Sequence, residues 1–116
     1  MAKYMFVFRG GLVTKPDASP DQMQAHFQKW VTWFGELQAR GEVAGDPLQS
    51  GGATLRGPAK TLTDGPYAEM KDLVGGYAIL EAESQEAAVE LAKGCPIFED
   101  HDNGSVEVRP IADMGN

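Results

Sequence analysis

The chain has 116 residues and 12.5 kDa, the size of one domain with a single core, and its 42% apolar and 23% charged residues are those of an ordinary globular protein. A net charge of −7, with ten basic residues dispersed without a stripe, excludes a phosphate-binding nucleic-acid surface. No run approaches the roughly eighteen apolar residues of a membrane span, and a single cysteine, Cys95, excludes an intrachain disulfide and suits a reducing compartment.

The amino-terminal MAKYMFVFRGG lacks a long hydrophobic signal core, so a cytoplasmic setting is expected. Within it, Lys3–Arg9 alternates Tyr4, Phe6 and Phe8 with Met5 and Val7. Both faces of this strand are apolar, so it needs a helix on one side and further cover, a second subunit, on the other. Ser19-Pro20-Asp21-Gln22 opens a helix: Ser19 caps, Pro20 suits the first helical position and Gln22 completes a capping box. Met23, Phe27, Trp30, Phe34 and Leu37 recur at helical spacing and are the expected core stripe, with His26 and Trp33 on one flank, and Gly41 is the stop.

Glu42–Gln49 reads as a short irregular strand broken by Pro47, and Gly57-Pro58 as the turn of a hairpin formed by 52–56 and 59–63. Gly76–Ala82 is a strand with Tyr77, Ile79 and Glu81 on one side and Ala78, Leu80 and Ala82 on the other. Ser84 caps a second helix that ends at Gly94, and Ser105–Ile111 is the last strand, with Val106 and Val108 inward and Glu107 and Arg109 opposite. The order predicts a single α+β domain over 1–116: a split βαβ plait with an extra hairpin and both helices on one face of an antiparallel sheet.

The stretch TDGPYAEMKDLVGGY, Thr63–Tyr77, carries more constraint and charge than packing requires. Pro66 makes Asp64-Gly65-Pro66 a stiff turn, with Asp64 either capping that turn or standing as a carboxylate at the mouth of a cleft. Glu69 and Lys71 share a face if the segment is extended. A lysine there would hold an anionic substrate while the carboxylate moves a proton, against the plainer reading of a solvated pair contributing about 0–1 kcal/mol. His26 is the one helical histidine, a base near neutral pH with Trp30 and Trp33 walling a pocket, or else an edge residue beside core tryptophans. Tyr67 adds an aromatic beside the turn, and Arg109 is the best strand-borne anchor for an anion. Glu99-Asp100-His101-Asp102 reads as a solvated turn, and with no HExxH, EF-hand, paired-cysteine or phosphate-cradling pattern, no metal and no cofactor are expected.

TDGPYAEMKDLVGGYAILEAES, together with GSVEVRPI near the end, resembles the YCII-related family and its DGPF-type branch, with Tyr67 where that branch usually has Phe and Met70 where Thr is common. The resemblance implies a ferredoxin-like fold dimerised sheet to sheet, as in dimeric α/β barrels. It also implies an occasional association with extracytoplasmic-function sigma factors. Other YCII-like members are thought to use a His–Asp pair, for elimination from small ring-cleavage products. In ungapped register this chain has Trp30 at the histidine position and Cys95 at the aspartate position, with His26 one turn earlier.

Two functions follow as expectations. One is a small cytoplasmic homodimer that binds or transforms a small organic molecule by cofactor-free proton transfer, elimination or isomerisation. Asp64 or His26 would be its base, Glu69 a partner, Lys71 or Arg109 the anion anchor, and Trp30 and Tyr67 the contacts. The other is a non-catalytic accessory module acting through protein contacts, linked to sigma-factor-dependent transcription.

Overall fold

Side-chain alternation in the first strand decides the architecture. The computed structural model describes residues 1–10, 19–49, 51–65, 73–100 and 104–114. In it, strand β1 (Ala2–Arg9) turns Tyr4, Phe6 and Phe8 to a buried side and Met5, Val7 and Arg9 to a half-buried one. Helix α1 (Pro20–Arg40) lies on the buried side. It starts as expected: the Gln22 N–H donates to Ser19 Oγ at 3.1 Å, and the Ser19 N–H donates to Gln22 Oε1 at 2.9 Å. Such caps contribute about 1 kcal/mol each.

The remaining elements are β2 (Val43–Pro47), β3 (Ala53–Arg56), β4 (Thr61–Asp64), β5 (Val74–Ala82), α2 (Gln85–Ala92), α3 (Ile97–Asp100) and β6 (Ser105–Pro110). Four strands form an antiparallel sheet in the order β2-β5-β1-β6, and β3-β4 is a separate hairpin. Each helical crossover therefore skips one strand, which is the ferredoxin-like plait with an inserted hairpin. The helix-facing residues align across the sheet, Gly45, Ala78, Phe6 and Val108 in one row and Pro47, Gly76, Phe8 and Val106 in the next. Among the described residues, no helix is long and apolar enough to cross a membrane.

Two details depart from the sequence reading. The buried centre of α1 is Trp33 and Leu37, with Trp30 and Phe34 partly buried, whereas Met23 and Phe27 are exposed at 55% and 61%. The core stripe is thus rotated toward the flank that carries His26 and Trp33. The cause is Trp33, whose large ring stacks on Phe6 (centroids 6.3 Å apart, 16° between planes) and meets Phe8 edge-on. Gly94 admits that ring: a Cβ there would lie 3.2 Å from the Trp33 Nε1. The second departure is α3, a short helical turn where a solvated loop was expected, seated by the buried Ile97.

The sheet's other face presents Met5, Val7, Tyr77 and Ile79, half-buried, beside an ion network at the β1–β6 side. Arg9 Nη2 donates to Glu107 Oε1 at 3.2 Å and Arg109 Nη1 to Glu107 Oε2 at 3.3 Å. The Arg9 hydrogen bond holds the Glu107 carboxyl below its ordinary value of 4.5, opposed by partial burial and reinforced by Arg109.

Gly45→Ala is expected to cost about 1–3 kcal/mol in urea unfolding, because its Cβ would fall 2.8 Å from the Ala78 Cα and closer still to the Tyr77 carbonyl oxygen, both backbone. Gly35→Ala, with nothing within 4 Å, should instead gain about 1 kcal/mol. Glu107 gives a pH dependence of known sign: its folded pKa is depressed, so its stabilisation is present above pH 4.5 and lost as pH falls through the folded value. The unfolding midpoint should therefore drop less steeply below that pH in Glu107→Gln than in the wild type.

Candidate functional site

Between α1 and the helix-facing side of the sheet lies a hollow of about 560 Å³. Its wall is one side of α1, where His26, Trp30 and Phe34 are partly buried and Met23, Phe27 and Val31 form the exposed rim. Its floor is the sheet where β1, β5 and β2 run side by side: Phe8, Gly76, Pro47 and Gly45. The glycines belong to that floor by necessity. A Cβ on Gly76 would come within 3.1 Å of the Asp46 carbonyl oxygen and 3.3 Å of the Pro47 Cα, so only glycine lets β2 and β5 approach this closely there. The second glycine of the pair that follows the DGP turn is thereby accounted for.

Aromatic rings dominate the wall. Trp30 meets Phe8 edge-on at 4.9 Å and stacks on Phe34 at 6.2 Å, so its plane is fixed from two sides. Its indole N–H donates to His26 Nε2 one turn earlier. An accepting imidazole nitrogen carries a lone pair, so in this arrangement the ring's proton lies on Nδ1. Protonating Nε2 requires the indole to let go. The described lining otherwise carries Gln38, Tyr77 and Asp46 and no lysine or arginine, which makes it a largely apolar cavity suited to a flat, uncharged molecule. A smaller, more open depression of about 360 Å³ on another side of α1 is spanned by the Lys29–Glu99 ion pair at 3.2 Å. Among the described residues no three metal-ligating side chains gather.

Of the residues singled out from sequence, His26 and Trp30 come together on this hollow. Asp64 ends β4 on the hairpin, exposed, and is not on the described lining. Arg109 lies on the opposite face of the sheet, 67% exposed and paired with Glu107, so the structure does not bring it to the cleft. Tyr67, Glu69 and Lys71 lie outside the described residues. Sequence reasoning missed Phe8, Gly45 and the Met23-Phe27-Val31 rim. The rim's spacing of four was a signal, but it was absorbed into the expected core stripe.

A solved structure to which the chain is similar is the 5-chloro-2-hydroxyhydroquinone dehydrochlorinase from Burkholderia phenoliruptrix AC1100 in complex with 2,5-dihydroxybenzoquinone. The two are 18% identical with a TM-score of 0.41, and the match covers 94% of this chain and 93% of that one. No curated protein matches significantly. The family model described as the YCII-related domain matches residues 11–115. Every element of the plait except β1, together with the inserted hairpin, falls within that span, and the chain belongs to the YCII-related family.

Proposed function

We propose that this protein binds a small, planar, uncharged organic molecule in the hollow under α1, and that His26 moves a proton on it in a cofactor-free elimination or isomerisation. The observation that carries this reading is the placement of a half-buried imidazole, hydrogen-bonded to Trp30, inside an aromatic cavity of about 560 Å³. The basic nitrogen of that ring is Nε2, so His26 acts as base when the Trp30 indole releases it and the substrate's proton takes the indole's place. Trp30, Phe34 and Phe27 supply flat surfaces that orient a ring against it. Arg109 has no part in this site.

Two further statements belong to the same reading. The Met5–Val7–Tyr77–Ile79 face is the surface that a second copy covers, since an apolar sheet centre bordered by charge resembles an interface more than a wet surface. A cytoplasmic setting fits a chain whose single cysteine is buried in the core.

Tryptophan fluorescence titration with phenol (planar, uncharged), benzoate (planar, anionic) and cyclohexanol (non-planar) tests the binding. Phenol should quench saturably and the other two weakly. Phe27→Glu, at an exposed position that leaves folding intact, should weaken phenol at least tenfold, equivalent to about 1.4 kcal/mol. For the chemistry, solvent deuterium should enter the acidic carbon positions of added cyclohexenone faster with wild type than with His26→Gln, followed by NMR. No saturable phenol binding, or exchange indifferent to His26→Gln, would remove the respective half of the proposal.

A further inference from the structure

The hollow is larger and longer than a single ring requires. A cavity of about 150 Å³ holds benzene, whereas this one has about 560 Å³. Its lining on α1 runs from Met23 to Gln38, which at the helical rise is about 22 Å along the axis. The polar side chains stand toward its two ends. His26 is near one and Gln38 at the other, because Asp46 and Tyr77, paired across β2 and β5, alternate to the far side of the sheet. Between them the described lining offers Trp30, Phe34 and Pro47, and bare strand backbone at Gly45.

The rim shows where the extra length leads. Met23, Phe27, Val31 and Gly35 follow one another at a spacing of four, so they form one row over the hollow, and that row loses its wall at Gly35. Glycine inside a helix costs stability relative to alanine. Packing does not ask for it here, since a Cβ at Gly35 would meet nothing within 4 Å. At Gly45 and Gly76, by contrast, an added Cβ would crowd the neighbouring strand. Gly35 and Gln38 are both exposed, so the hollow opens to solvent at this end. From His26 to Gly35 the axis advances about 13 Å, further than one ring held at the imidazole extends. The stretch past Phe34 is apolar and calls for an apolar occupant.

We propose that the substrate is a planar ring bearing an unbranched hydrocarbon tail. The ring lies against Trp30 with its acidic proton at His26, and the tail runs along α1 past Phe34 to the gap at Gly35. This rests on the reading of the hollow as a ligand site and narrows the class of molecule that the site takes. Burial of the tail supplies affinity, and the rings of Trp30 and Phe34 leave a linear chain more room than a branched one. Gly35 thereby determines specificity without touching the reacting atoms.

Isothermal titration calorimetry of the full chain with phenol and its para-ethyl, para-butyl and para-hexyl derivatives reads the tail directly. The Kd should fall about two- to fourfold for each added methylene. Para-butylphenol should bind at least about fivefold more tightly than para-tert-butylphenol, which has the same carbons in a bulkier shape. Gly35→Leu, folded as judged by its circular dichroism, should abolish the gain, so that para-hexylphenol binds this variant no more tightly than phenol does. The branched and linear pair tests the same point in the wild type without any variant. The proposal is overturned if Kd is flat across the series, if the branched isomer binds as tightly as the linear one, or if folded Gly35→Leu keeps the gain. Saturable phenol binding alongside any of these results leaves the ring reading standing. Absence of binding by phenol and by every alkylphenol sinks the ring reading, and the tail with it.

Discussion

The structure depends on one contact: the aromatic face of β1 pressed against the tryptophans of α1. Phe6, fully buried, lies nearly parallel to Trp33, and Phe8 meets Trp30, Trp33 and Phe34 edge-on. Rings of this size cannot be accommodated by small rotamer adjustments in a close-packed interior. They fix how far α1 is rolled about its axis, and the roll decides which of its apolar residues are core and which are left over. The leftovers, Met23, Phe27 and Val31, become the rim of the hollow. Core packing and the candidate site are consequences of the same arrangement.

The His–Asp pair that the resemblance implies for other YCII-like members is not matched at the corresponding positions here. In the resemblance, Trp30 takes the histidine position and Cys95 the aspartate position; Trp30 lies on the hollow, while Cys95 is 3% exposed in the core. The Trp30 indole donates to His26 from one turn away, and that imidazole lines this cavity. Its electrostatic setting differs from that of an imidazole paired with a carboxylate. The indole at Nε2 brings no charge to the ring, whereas an adjacent aspartate favours the imidazolium.

Much of the fold was legible because its signals are local. The Ser19–Gln22 box, the Ser84 cap, the alternation of β1 and β5 and the Gly57-Pro58 turn each depend on residues within a few positions. The rotation of α1 was not legible, since Met23, Phe27, Trp30 and Phe34 form as good a stripe as the one actually buried. Only the volume of Trp33 against Phe6 and Gly94 chooses between them. The site was half legible for the same reason: His26 and Trp30 are one turn apart, while the position of Asp64 depends on where a whole hairpin is carried, which no nearby residue encodes.

That hairpin has a consequence for how the molecule can vary. β2 and β5 are antiparallel neighbours, Pro47 opposite Gly76, and their ladder is continued by the Leu48 N–H to the Gly75 carbonyl at 2.9 Å. A tight two-residue connection at that point would suffice to close the plait. Residues 48–73 are therefore a detour that the sheet does not require. What constrains their length and sequence is whatever the detour touches, and not the frame beneath.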